Sequence, residues 1–98
     1  MIIQKSRSGA AMTLSLQGRL DTMTSPELEQ EIKAVLPGLN ELVLDFAGLD
    51  YISSAGLRVL LSAQKQMNKQ GSMKVTNVCG PIMEIFDVTG FTDILTIE

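Results

Sequence analysis

The chain has 98 residues and a formal net charge of −3, from 8 Lys and Arg against 11 Asp and Glu. It has no histidine and one cysteine, Cys79, which excludes imidazole bases, His-bearing triads, the usual zinc sites, intrachain disulfides and CxxC chemistry. The acidic balance and the lack of Trp argue against a nucleic-acid binder, which needs a basic face and stacking platforms.

The length is one domain's worth, so residues 1–98 are expected to form a single domain. An apolar content of 45% is ordinary for a domain with one core. The start, Met1-Ile2-Ile3-Gln4-Lys5, lacks the charged and apolar regions of a signal peptide. No apolar run approaches the roughly 20 residues that span a bilayer. With a lone thiol, the expected address is a reducing cytoplasm, with no membrane partner.

Residues 1–6 read as a short strand. Residues 10–18 alternate, with Met12, Leu14 and Leu16 on one side and Ala11, Thr13, Ser15 and Gln17 on the other, the period of a half-buried strand. Gly9 between them marks a hairpin. Ser25-Pro26 offers a hydroxyl cap followed by proline at the first helical position, while Thr24 with Glu27 offers a capping box; both registers fit. Leu28, Ile32, Val35 and Leu36 then share one helical face, and Pro37-Gly38 ends the helix.

Leu42–Phe46 reads as a buried, parallel strand interrupted only by Asp45. Residues 48–52 read as a loop. Ser53-Ser54-Ala55-Gly56-Leu57 opens a helix to about Lys69, with Leu57, Leu60, Leu61 and Met67 on its inner face. Ser72–Val78 is a further strand, Pro81 opens a third helix that Gly90 caps, and Asp93–Ile97 is a last short strand. The order β-β-α-β-α-β-α-β implies an α/β domain with a mixed, mostly parallel sheet and helices packed on it.

Few residues offer chemistry. Ser53 is expected to cap its helix. The adjacent Ser54 is expected to stand exposed on the first turn, where free N–H groups and the helix dipole tolerate a phosphate. Asp45 lacks the acidic pair and lysine that a receiver-type phosphoacceptor needs, so it reads as a strand-end residue bonding a nearby loop. Ser62-Ala63-Gln64-Lys65 fits SxxK but lies mid-helix without its companion motifs. Glycine-rich nucleotide cradles are missing. Met12, Met67, Met73 and Met83 read as core fillers and Cys79 as a small buried hydrophobe. No metal, cofactor or catalytic residue is expected. Asp21 and Thr22 read as a polar turn or a distant cap. In the expected winding they share the C-terminal sheet edge with Ser54, where partner sites gather in open α/β sheets.

Gly18-Arg19-Leu20-Asp21, Leu42–Phe46, Tyr51-Ile52-Ser53-Ser54-Ala55-Gly56-Leu57 and Ile85-Phe86-Asp87-Val88-Thr89-Gly90-Phe91 occur in this order and spacing. Together they resemble the anti-sigma factor antagonists of the bacterial STAS-domain family, over nearly the whole chain. The resemblance implies a STAS fold and a binding protein rather than an enzyme. It implies that the unphosphorylated form binds an anti-sigma factor that is itself a serine kinase, which frees the sigma factor. Phosphorylation of one serine expels the antagonist, and a PP2C-type phosphatase resets it. The acceptor maps onto Ser54, two residues before Gly56. The family's Gly-x-Leu-Asp loop, part of its partner surface, maps onto Gly18, Leu20 and Asp21, and with the sheet-edge reading the expected partner surface comprises Asp21 and Thr22 together with Ser53, Ser54, Ala55, Gly56, Leu57 and Arg58.

Two departures stand out. Ser53 occupies a position where many relatives carry aspartate, which removes a carboxylate beside the acceptor. Ala55 replaces a second hydroxyl, which narrows the choice of acceptor. Two other readings fit less well: a STAS subunit of a sensory or transport assembly, in which Ser54 is only a cap, and an enzyme, for which no base, metal cage or phosphate loop is found. The −3 charge and the lack of an obvious apolar stripe favour a monomer when free.

Overall fold

The computed structural model describes residues 1–98. Its elements are β1 (Ile2–Ser8), β2 (Ala11–Leu20), α1 (Ser25–Val35), β3 (Glu41–Ile52), α2 (Ser54–Asn68), β4 (Ser72–Thr76) and α3 (Gly80–Thr89), followed by a 3-10 turn at Phe91–Asp93. The sheet order is β1-β2-β3-β4. β1 and β2 form the expected antiparallel hairpin, and β2–β3 and β3–β4 are parallel. Parallel neighbours cannot be joined by a tight turn, and α1 and α2 are the crossovers.

Alternation decides which sheet face the helices cover. Met12, Leu14 and Leu16 of β2, Leu42, Leu44 and Phe46 of β3, and Met73 and Val75 of β4 are all buried. They meet Leu28, Ile32 and Val35 of α1, Leu60, Ala63 and Met67 of α2, and Ile82 and Phe86 of α3 in one core. The other face carries Thr13, Ser15, Val43, Asp45, Lys74 and Thr76, all half-buried with no helix over them. The protein is therefore a two-layer α/β domain with its sheet open on one side.

Residues 48–52, expected as a loop, are strand. Between Ser15↔Asp45 and Gln17↔Gly48 the pairing slips by one residue on β3. Such a bulge flips the inward parity, so Leu49 is buried while Gly48 and Asp50 are not, and a second slip between Gly18↔Leu49 and Arg19↔Tyr51 flips it back, so Ile52 is buried. The broken alternation is what made the segment look irregular. Gly48 permits the slip, because a Cβ there would lie 2.7 Å from Gln17 Cγ and 3.0 Å from the Leu16 carbonyl oxygen. Asp45 is consequently mid-strand, and its carboxylate does bond a loop: it accepts from Asn77 Nδ2 and the Ala47 N–H, both at 2.9 Å.

The expected last strand is reduced to one parallel bridge, Val75↔Ile97. Gly90, at φ 79°, ends α3 in the left-handed conformation as expected, and the chain turns at once into the 3-10 segment. There Phe91 stacks on Phe86, which packs on Phe46. All three phenylalanines are spent pinning α3 to the sheet, which leaves only the terminal residues to reach the β4 edge. On α2 the inner face is Val59, Leu60, Ala63 and Met67, while Leu57 and Leu61 are half-buried. Met12, Met67 and Met73 fill the core as expected, and Met83 and Cys79 pack against it partly buried.

Gly56 is the tightest point of the helix layer. A Cβ there would stand 2.8 Å from both Ile52 Cγ1 and Leu20 Cγ, and those side chains are 2% and 0% exposed, so neither can swing away. Gly→Ala within a helix is normally favourable by up to about 1 kcal/mol. Here overpacking of about 1–3 kcal/mol should win. Gly56→Ala is expected to lower the urea midpoint, whereas Gly80→Ala, with nothing within 4 Å, should leave it unchanged or raise it. Equal effects of the two would show that close packing at Gly56 is not what selects glycine.

Candidate functional site

The last pairs of the β2–β3 ladder are Arg19↔Tyr51 and Leu20↔Ile52. Immediately beyond them the Ser53 N–H donates to the Leu20 carbonyl oxygen at 2.9 Å. The two segments singled out from the sequence, Asp21–Thr22 and Ser53–Arg58, therefore leave the sheet side by side at its C-terminal edge. Thr22 lines one groove with Ala55 and Arg58, and Ser25, Pro26, Glu29, Val59 and Ser62 complete it. The groove has a cavity volume of about 380 Å³ and runs out between α1 and α2. Glu29 is paired with Lys33 at 2.9 Å. Arg58, which is exposed, belongs to none of the ion pairs of the protein.

The Asp21 loop is held from within. Asp21 Oδ1 accepts from the N–H groups of Met23 and Thr24 at 3.0 and 3.1 Å, and from the Thr24 hydroxyl at 3.2 Å. The Thr24 hydroxyl donates to the Arg19 carbonyl at 2.7 Å and accepts from the Asp21 N–H at 2.9 Å. The buried Ser25 donates both its N–H and its hydroxyl to the Asp21 carbonyl. Neither proposed cap of α1 forms: Thr24 is the N-cap by position, but its side chain makes no cap bond. Both hydroxyls face back into the loop, where Thr24 donates to the Arg19 carbonyl and Ser25 to the Asp21 carbonyl. Asp21 is thus the organiser of the turn.

The two serines at the start of α2 differ sharply. Ser53 is the N-cap by position, yet its side chain makes no cap bond, contrary to expectation. Its Oγ is buried without a partner, turned inward while its backbone holds the strand end. Ser54 is the first helical residue and is exposed. No acidic residue lies in the first turn of α2, where the leading N–H groups have no intrahelical partner and the dipole is positive. Gly56 is buried, Ala55 and Leu57 are half-buried, and Arg58 stands on the solvent side one turn after Ser54.

Three further residues belong to this surface. Met23 is 86% exposed, the most of any large apolar side chain. The Arg19 guanidinium lies 4.2 Å from the Tyr51 ring centroid and 3.8 Å from Asp21 Oδ2. A lone Met in a turn carries no signal in a sequence, and the Arg19–Tyr51 pair exists only through the β2–β3 register.

The family described as Mlab, STAS domain, matches residues 3–96, and the chain belongs to the STAS-domain family. It is 39% identical over 84 residues to BtrV of Bordetella bronchiseptica, provisionally named an anti-sigma factor antagonist, covering 84% of this chain and 72% of that one. It is 28% identical over 86 residues to the anti-sigma-B factor antagonist of Bacillus subtilis, covering 87% and 79%. Its fold matches the anti-sigma factor antagonist SpoIIAA, with a TM-score of 0.80 for the unphosphorylated form, 14% identity, and coverage of 99% and 87%. For the phosphorylated form the TM-score is 0.78, with 15% identity and coverage of 99% and 91%.

The Thr24 N–H is the main influence holding the Asp21 carboxyl below its ordinary value of 3.8. Partial burial opposes it, and the Met23 N–H, the Thr24 hydroxyl and Arg19 add to the lowering. Folding thus favours the charged form. The stability this contributes is complete above the unfolded pKa of about 3.9 and is lost as pH falls through the lower folded value. In urea titrations, wild type should exceed Asp21→Asn at pH 7, and the gap should shrink as the pH is brought below the carboxylate range. A gap independent of pH would show that charge on Asp21 does not hold the loop.

Proposed function

We propose that this protein is an anti-sigma factor antagonist controlled by phosphorylation at Ser54. Its unphosphorylated form docks through Asp21, Thr22 and Ser53–Arg58 on a serine-kinase anti-sigma factor in the cytoplasm, which releases a sigma factor. The kinase then esterifies Ser54 and so expels the antagonist, and a PP2C-type phosphatase restores it. The protein acts by binding rather than catalysis. The observation that carries this reading is the contrast between two adjacent hydroxyls: Ser54 is exposed at a helix start free of carboxylates, while Ser53 Oγ is sealed inside. Names of relatives given to anti-sigma factor antagonists support the role. SpoIIAA, known in both phosphorylation states, supports the switch.

The physics needs no refolding. A phosphate adds up to about two negative charges and three acceptor oxygens. At Ser54 it meets unpaired N–H groups and lies one turn from Arg58, the spacing at which helix side chains interact, so α2 tolerates it. A docked partner does not, because a dianion in the middle of an interface costs several kcal/mol unless it is matched there. A second reading keeps the surface and drops the switch, as in STAS subunits of sensory or transport assemblies. Ser53, standing where many relatives carry aspartate, is the feature that favours it.

Incubation with the kinase and ATP, followed by site mapping, should label Ser54 alone. Ser54→Ala should bind the anti-sigma factor and resist expulsion. Ser54→Asp should lose roughly 100–1,000-fold in affinity with an unchanged backbone. Label on Ser53, or wild-type binding by Ser54→Asp, would sink the switch.

A further inference from the structure

We infer that Met23 is the apolar anchor of the docking surface, entering a pocket on the anti-sigma factor lined by aliphatic or aromatic side chains; this rests on the proposed function. A single exposed apolar side chain is ordinary by itself; of the two left most exposed, Met23 at 86% and Val88 at 83%, only Met23 adjoins a residue of the groove, Thr22. Its backbone is nevertheless among the better-fixed parts of the surface. The Met23 N–H is tied to Asp21 Oδ1, and the residues on either side are stitched by the Asp21, Thr24 and Ser25 bonds. A loop whose backbone is tied by hydrogen bonds and which holds an uncovered thioether outward has already met part of the ordering cost that binding would otherwise impose. Methionine is unbranched and polarisable, which suits insertion into an irregular apolar pocket.

Position supports the same conclusion. Met23 follows Thr22, which lines the groove with Ala55 and Arg58, so the anchor adjoins a residue that faces the first turn of α2. Interfaces concentrate their binding energy in a few buried anchors surrounded by polar contacts. Here the polar surround is Thr22, Ser54, Arg58, and Arg19 stacked on Tyr51. Arg58 is exposed and has no ion-pair partner within the protein, so the matching pocket has a carboxylate at its rim. A carboxylate rim also repels a phosphate on Ser54, which ties the anchor to the switch.

The test measures affinity for the organism's anti-sigma factors by calorimetry, with Ser54→Asp as the control. Met23→Ala and Met23→Gln should each weaken binding by roughly 30-fold or more, with an unchanged melting temperature. Met23→Leu should bind within a few-fold of wild type. If wild type binds and Ser54→Asp does not, while Met23→Ala or Met23→Gln matches wild type, the anchor is wrong and the switch stands. If Met23→Ala lowers the melting temperature as much as the affinity, the residue is structural and the anchor is wrong. If wild type binds none of these factors, the proposed function fails and the anchor with it.

Discussion

At the C-terminal edge of the sheet, β2 and β3 end in register, Leu20 against Ile52, and the Ser53 N–H closes the ladder onto the Leu20 carbonyl at 2.9 Å. Gly56 then lets α2 settle directly onto those two side chains. Two segments more than thirty residues apart in the chain become one surface through this contact. Were the helix held off by a Cβ, the first turn of α2 would move relative to the Asp21 loop, and the groove shared by Thr22, Ala55 and Arg58 would change shape. A close approach of helix to strand ends therefore lies directly beneath the part proposed to meet a partner.

The two halves of that surface are stabilised differently. The Asp21 loop is a polar device whose own side chains satisfy its backbone, so its shape depends on a carboxylate remaining charged. The start of α2 is a packing device, with Gly56 and Val59 inward and Ser54 and Arg58 outward. Its leading N–H groups are left without a side-chain cap, a local cost that also keeps this end receptive to an anion. Modification at such a point changes charge and bulk while the core beneath stays as it is. This suits a regulator that must return to its starting state when the group is removed.

The regular elements were legible in the chain where the alternation was unbroken. β2, the first half of β3 and the apolar faces of α1 and α3 follow directly from Leu14, Leu16, Leu42, Leu44, Leu28, Ile32, Ile82 and Phe86. The failures have physical causes. The second half of β3 looked irregular because a bulge flips its parity. The last strand shrank because a 3-10 turn takes up Phe91–Asp93 and Ile94 follows in the helical region, which leaves Ile97 to bridge Val75. Ser53 and Thr24 occupy cap positions by sequence, but tertiary neighbours turned their side chains elsewhere. Ser54 and Asp21 are candidates from their places at a helix start and at a strand-end turn, and the motif resemblance adds to that, whereas Met23 and the Arg19–Tyr51 pair carry no comparable signal.

The sequence by itself determined the class of fold, the order of helices and strands, and the presence of a hydroxyl-rich helix start, because these depend on periodicity, on glycine and proline positions and on residue type over short stretches. Only the tertiary structure decided that Ser53 Oγ turns inward instead of capping its helix, which sheet face stays open, and that Met23 stands exposed beside the groove residue Thr22. These depend on register between strands and on close approach of backbones, quantities set by packing between distant residues rather than by any one of them.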